Sequence, residues 1–136
     1  MKTIITAAIL LLSTIMFAQT ETFQVKVTVP NARNDNGKML IALHTQDSFM
    51  KSDGKASESV IIKDGIATVS FNDVPAGTYA ILILHDENEN YRMDFETSGM
   101  PKESYGTSGN AMSYGPPTWS DAKFELKEDK NLVIRL

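Results

Sequence analysis

From position 23 to 29 every second residue is apolar (Phe23, Val25, Val27, Val29), with Gln24, Lys26 and Thr28 between them. Side chains of an extended chain point alternately to opposite faces, so this period of two predicts a strand with one face buried. Similar short segments recur with turn residues between them, and no stretch after residue 18 carries helical periodicity, which restricts the chain to an all-β fold. Residues 38–45 and 79–84 are apolar on both faces, as central strands are. Residues 60–63 and 66–71 flank Asp64-Gly65, a pair suited to the positive φ angles of a tight hairpin. The segments 122–127 and 132–136 alternate again, and the polar tetrad 128–131 predicts a second hairpin. The polar stretch 51–59 reads as a loop, with Phe49 anchoring its start. Seven short strands joined by turns predict a seven-stranded antiparallel β-sandwich.

Residues 1–18 have the make-up of a secretory signal: Lys2, an apolar run from Ile4 to Phe17, and Ala18 as the small residue before Gln19. The run is too short, and too broken by Thr6, Ser13 and Thr14, for a transmembrane span. The expectation is an exported protein, periplasmic or secreted, with a single domain over 19–136 and no transmembrane segment after cleavage. Thirteen basic against 17 acidic side chains give a net charge of -4, which losing Lys2 takes to about -5. With no basic run to offset it, this charge argues against nucleic acid as a partner. The absence of cysteine excludes disulfides, thiol catalysis and Cys-ligated metals.

Residues 86–120 break the regular spacing. An ordered loop of that length in a small domain tends to be functional or ligand-stabilised. Within it Asp86, Asn88, Asn90 and Asp94 occupy positions 1, 3, 5 and 9, with the Arg92 carbonyl at position 7, the odd-position oxygen pattern of EF-hand-type loops. Irregular coordination by carboxylates, amides and carbonyls suits structural Ca²⁺ better than Mg²⁺, and hard oxygens disfavour zinc or copper. Position 6 is Tyr91 instead of glycine and position 12 is Thr97 instead of a bidentate glutamate, so the set is complete only if Glu96 or Glu103 folds back. Affinity then falls in the weak extracellular class, roughly 0.1 to 1 mM. The alternative reading is an Asx-rich hairpin end held by local hydrogen bonds.

His44 and His85 each end a doubly apolar strand, which would allow them to meet at one rim. With Met93, Met100 and Met112 they suggest an alternative function, a periplasmic accessory metal-binding or carrier protein. Tyr105, Tyr114 and Trp119 offer an aromatic platform for a sugar or peptide, against which stands packing of Trp119 in the core. A hydrolase ranks third: Gly106-Thr107-Ser108-Gly109 lacks the Gly-x-Ser-x-Gly elbow, and Glu87, Glu89, Glu96 and Glu103 are simply carboxylates in an acidic loop.

The turn Asp73-Val-Pro-Ala-Gly-Thr-Tyr79, leading into a hydrophobic strand, resembles that of transthyretin-like (prealbumin-like) and carboxypeptidase-regulatory-like sandwich domains. Together with His85-Asp-Glu-Asn-Glu-Asn90, Asp94, Gly99-Met-Pro-Lys-Glu103, Tyr105-Gly106 and Gly115-Pro-Pro117, it makes most of the chain similar to a bacterial exported family, domain of unknown function 2141. Tyr91 stands where that pattern has a small residue. The resemblance implies a transthyretin-like sandwich outside the inner membrane and brings no established activity. The expected function is a calcium-stabilised, non-catalytic module that binds a protein partner or saccharide through its 86–120 loop.

Overall fold

The structure is a computed structural model that describes residues 18–112 and 115–136. The expected signal segment, apart from Ala18, and Tyr114 of the expected aromatic platform lie outside the described residues. Among the described residues eight strands and one short helix follow in order: β1 (Thr22–Val29), β2 (Lys38–His44), β3 (Ala56–Val60), β4 (Ala67–Pro75), β5 (Gly77–Asp86), β6 (Tyr105–Thr107), α1 (Trp119–Ala122), β7 (Phe124–Leu126) and β8 (Lys130–Val133). They form a three-stranded sheet in the order β4-β1-β8 and a five-stranded sheet in which β3-β2-β5-β6 run in order. β6 pairs with residues 82–84 of β5, and β7 pairs with residues 77–79 of the same strand. The all-β expectation holds.

One hydrophobic core serves both sheets. Val25, Val27 and Val29 of β1 and Val69 and Phe71 of β4 meet Met39, Ile41 and Leu43 of β2, Ile81 and Ile83 of β5, and Leu126 and Ile134. These side chains hold alternate positions on their strands, so a period of two delivers one complete face from each sheet. Each buried aliphatic side chain contributes roughly 1.5–3 kcal/mol relative to its exposed state.

The predicted connections differ from those observed because neighbouring strands often enter different sheets. Asp64-Gly65 does turn tightly, with φ of 53° and 76°. Asp35 secures it, its carboxylate accepting the backbone N–H groups of Asp64 (3.0 Å) and Gly65 (2.8 Å). Only the Lys63–Ile66 bridge flanks that turn, because β3 joins β2 while β4 joins β1. β3 falls on the polar stretch read as loop. The Asp73–Tyr79 turn is a corner between sheets: β4 ends at Pro75, β5 begins at Gly77, and the Tyr79 hydroxyl donates to the Pro75 carbonyl at 2.8 Å. The C-terminal hairpin is replaced by a crossing. β7 adds to β5, whereas β8 adds to β1 in parallel, so the pairing is not wholly antiparallel. A hairpin would place both strands in one sheet; splitting them lets Leu126 and Ile134 each enter the shared core.

Candidate functional site

The outer face of β5 passes through three environments. Ala80, Leu82, Leu84 and Asp86 point away from the shared core, in alternation with Tyr79, Ile81, Ile83 and His85. Ala80 is covered by a second small cluster in which Phe49 and Ala122 are buried and Leu82 and Trp119 pack alongside. Leu82 and Leu84 then line a cavity, and Asp86 opens the acidic loop.

The acidic loop is a network centred on Asp86 and Asp94. Asp86 is 1% exposed, and its carboxylate accepts the backbone N–H groups of Asn90 (3.2 Å) and Tyr91 (2.8 Å). These bonds hold the turn, in which Glu89 (φ 57°) and Tyr91 (φ 61°) take the left-handed conformation that glycine would adopt more readily. The Asn88 amide donates to Asp94 Oδ2 at 2.7 Å, and the Asn90 amide lies 2.8 and 3.0 Å from the two Asp94 oxygens. The backbone N–H of Arg92 donates to Asn90 Oδ1 at 3.1 Å, and its side chain makes only a loose 3.9 Å contact with Asp94. Glu103 folds back: Oε2 accepts the Asp94 N–H at 3.2 Å, whereas the buried Oε1 has no hydrogen-bond partner among the described residues. Glu96 is exposed.

The structure therefore gathers Asp86, Asn88, Asn90, Asp94 and Glu103 and leaves the Glu96 side chain in solvent. Among the described residues no three His, Cys, Asp or Glu side chains converge as metal ligands do. A cation here would draw on amide as well as carboxylate oxygens. Asn88 and Asn90 can supply them, since each amide carries a donor and an acceptor end.

Beside this network lies a cavity of about 710 Å³, within the range of small-molecule sites. Its floor is the outer face of β2 and β5, with Leu40, Ala42, Leu82 and Leu84. Met93, Phe95, Met100 and Pro101 wall it, and Pro116, Pro117 and Tyr105 also border it. Among the described residues no charged side chain lines it. The 93–101 wall has its own backbone bonds, Glu96 N–H to the Met100 carbonyl at 2.7 Å and Gly99 N–H to the Glu96 carbonyl at 2.9 Å. Phe95 and Met100 remain 58% and 67% exposed. This cleft is not among the sites expected from sequence, although the doubly apolar runs of β2 and β5 carried its signal.

His44 and His85 do not meet. The β2–β5 register pairs His44 with Ala80 and His85 with Met39, so the imidazoles lie on opposite faces and five residues apart along β5, about 17 Å. His44 stands edge-on to Phe49, and its Nδ1 is 3.2 Å from the Ser48 hydroxyl. Burial holds its pKa below the ordinary 6.5, opposed by the Ser48 bond and the charge of Asp53. His85 is buried on the core side, with Nε2 2.9 Å from the Asn36 carbonyl. Trp119 packs against Phe49 at 5.6 Å in the smaller cluster, away from the main core, while Tyr105 borders the cleft. The Ser108 hydroxyl is buried, accepting the Ile81 N–H and donating to the Ala122 carbonyl, and no histidine hydrogen-bonds to it.

The described residues include no helix long and apolar enough to cross a membrane. No curated protein and no solved structure matches the chain. A family model described as an uncharacterized protein conserved in bacteria matches residues 27–134, from β1 past β8 and including both the acidic loop and the cleft. The chain therefore belongs to the family called domain of unknown function 2141.

Proposed function

We propose that this protein is an exported, non-catalytic binding module built as a transthyretin-like sandwich, with the loop between β5 and β6 ordered by calcium. The apolar cleft between that loop and the five-stranded sheet is its binding site. The observation that carries the reading is the uncharged lining of a 710 Å³ cavity on a sheet face that is apolar without belonging to the core. Such a lining favours the apolar body of a ligand or partner over a saccharide, whose hydroxyl groups need polar partners when desolvated. Thioether walls at Met93 and Met100 suit adaptable contacts. Export rests on the signal-like N-terminus, and the calcium on the oxygen-rich loop.

The test is a fluorescence titration with N-phenyl-1-naphthylamine, an uncharged apolar probe. Saturable 1:1 enhancement that Leu84→Glu abolishes in a still-folded protein is the expected result. Non-saturating enhancement, or binding unaffected by Leu84→Glu, would overturn the assignment of the cleft.

A further inference from the structure

Asp94 and Glu103 bracket the segment that walls the cleft. Met93 and Phe95 flank Asp94, and Pro101 and Tyr105 stand two residues to either side of Glu103. The two ends are already joined through the backbone, the Lys102 N–H donating to the Asp94 carbonyl at 2.8 Å and the Asp94 N–H to Glu103 Oε2 at 3.2 Å. What is left over is Glu103 Oε1. This side chain is 8% exposed, and that oxygen is enclosed without a hydrogen-bond partner among the described residues. A buried carboxylate oxygen lacking a donor, beside an aspartate whose partners are mainly reversible amides, is an environment that a hard cation satisfies.

Resting on the binding-module reading, we infer that Glu103, not Glu96, is the fold-back ligand of a calcium site shared with Asp94 and the Asn88 and Asn90 amides. The ion regulates the cleft. Bound there, it clamps residues 93–103 at both ends and pre-organises the apolar wall between them, which lowers the ordering cost of taking up an apolar ligand. Two carboxylates with amide oxygens place the site in the weak class, roughly 0.1–1 mM. Linkage requires that ligand and ion strengthen each other by the same factor.

The experiment combines calorimetric titration of the metal-free protein with calcium chloride and N-phenyl-1-naphthylamine titrations with and without several millimolar calcium. Glu103→Gln is expected to weaken calcium binding at least ~10-fold, and Glu96→Gln less than ~2-fold. Calcium should tighten probe binding about 5-fold in the wild-type protein and not in Glu103→Gln. Asp94→Asn, which keeps the backbone N–H bonded to Glu103, is the second variant and should lose both effects. Equal calcium affinity in wild type and Glu103→Gln, or probe binding indifferent to calcium, overturns the inference while leaving the cleft intact. Absence of probe binding under every condition removes the binding reading itself, and absence of calcium binding in the wild type removes the ion from both.

Discussion

On β1 and β4 the residues facing away from the core include Lys26, Thr68 and Ser70, all polar and exposed; on the middle of β2 and β5 they include Leu40, Ala42, Leu82 and Leu84, all apolar and half-buried. Both sheets follow the same pleat and share one core, so the difference lies wholly in what each outer face meets. The three-stranded sheet presents an ordinary solvated face. The five-stranded sheet presents an apolar one that is closed by Phe49 and Trp119 at one end, and roofed by a loop over a cavity at the other. Apolar area left open beneath a loop is the surface on which the proposed binding site rests.

The largest effect expected from this contrast separates the inner and outer faces of a single strand. Ile81→Ala, in the shared core, should cost about 2–5 kcal/mol, and Leu84→Ala, over the cleft, about 1 kcal/mol, read as shifts in urea midpoint at constant m. Equal losses would mean that the outer face is as tightly packed as the core, and the contrast would fail.

The next effect concerns the junction of sheet and loop. Gly37 has φ of 65°, and a Cβ there would collide with the Asp86 carbonyl. Gly37→Ala is expected to cost about 2–3 kcal/mol, combining left-handed strain with displacement of the strand end. Asp86→Ala removes the acceptor of two backbone N–H groups and should cost about 1–3 kcal/mol even without metal, while hydrogen exchange at Ile81 and Ile83 remains slow. Loss of protection throughout β5 would make the loop part of the folding core and remove the contrast between the two faces.

The smallest effect is that of pH on His44, at the closed end of the outer face. Its pKa lies below 6.5 in the folded protein because burial disfavours the imidazolium, with Ser48 and Asp53 opposing. The unfolded chain therefore binds a proton near pH 6.5 that the folded protein refuses. The His44 contribution is full above pH 6.5 and declines as pH falls toward the folded value. An NMR titration of the His44 ring should give a midpoint below 6.5; a midpoint at 6.5 would place the ring in solvent and open that end of the face.

Much of the fold was legible because alternation reports burial directly: β1, β2 and β5 lie close to where their patterns predict. Sheet membership was not, since a turn such as Asp64-Gly65 fixes local φ angles but not which edge the emerging strand finds. β3 was hidden because an edge strand such as Ser57-Glu58-Ser59 buries little on either face. The helix left a trace in Thr118-Trp-Ser-Asp121, where the Thr118 hydroxyl donates to Asp121 at 2.8 Å, a spacing like that of a capping box. In the acidic loop, the odd-numbered spacing foretold the gathering of Asp86, Asn88, Asn90 and Asp94. It did not decide between Glu96 and Glu103, because that depends on how the chain returns. The cleft was concealed in plain view: residues apolar on both faces signal a strand covered on both sides, and that pattern does not say whether the second cover is protein or ligand.

The methionines supply a direct measurement of the central claim. Met50, Met93 and Met100 border the cleft, while Met39 is fully buried in the shared core. In a methyl NMR titration with a medium-chain aliphatic alcohol, the Met50, Met93 and Met100 signals should shift together and saturate at one ligand per chain, with Met39 unmoved. Signals that fail to saturate, or a Met39 shift as large as the others, would contradict a binding site on the outer face of the five-stranded sheet.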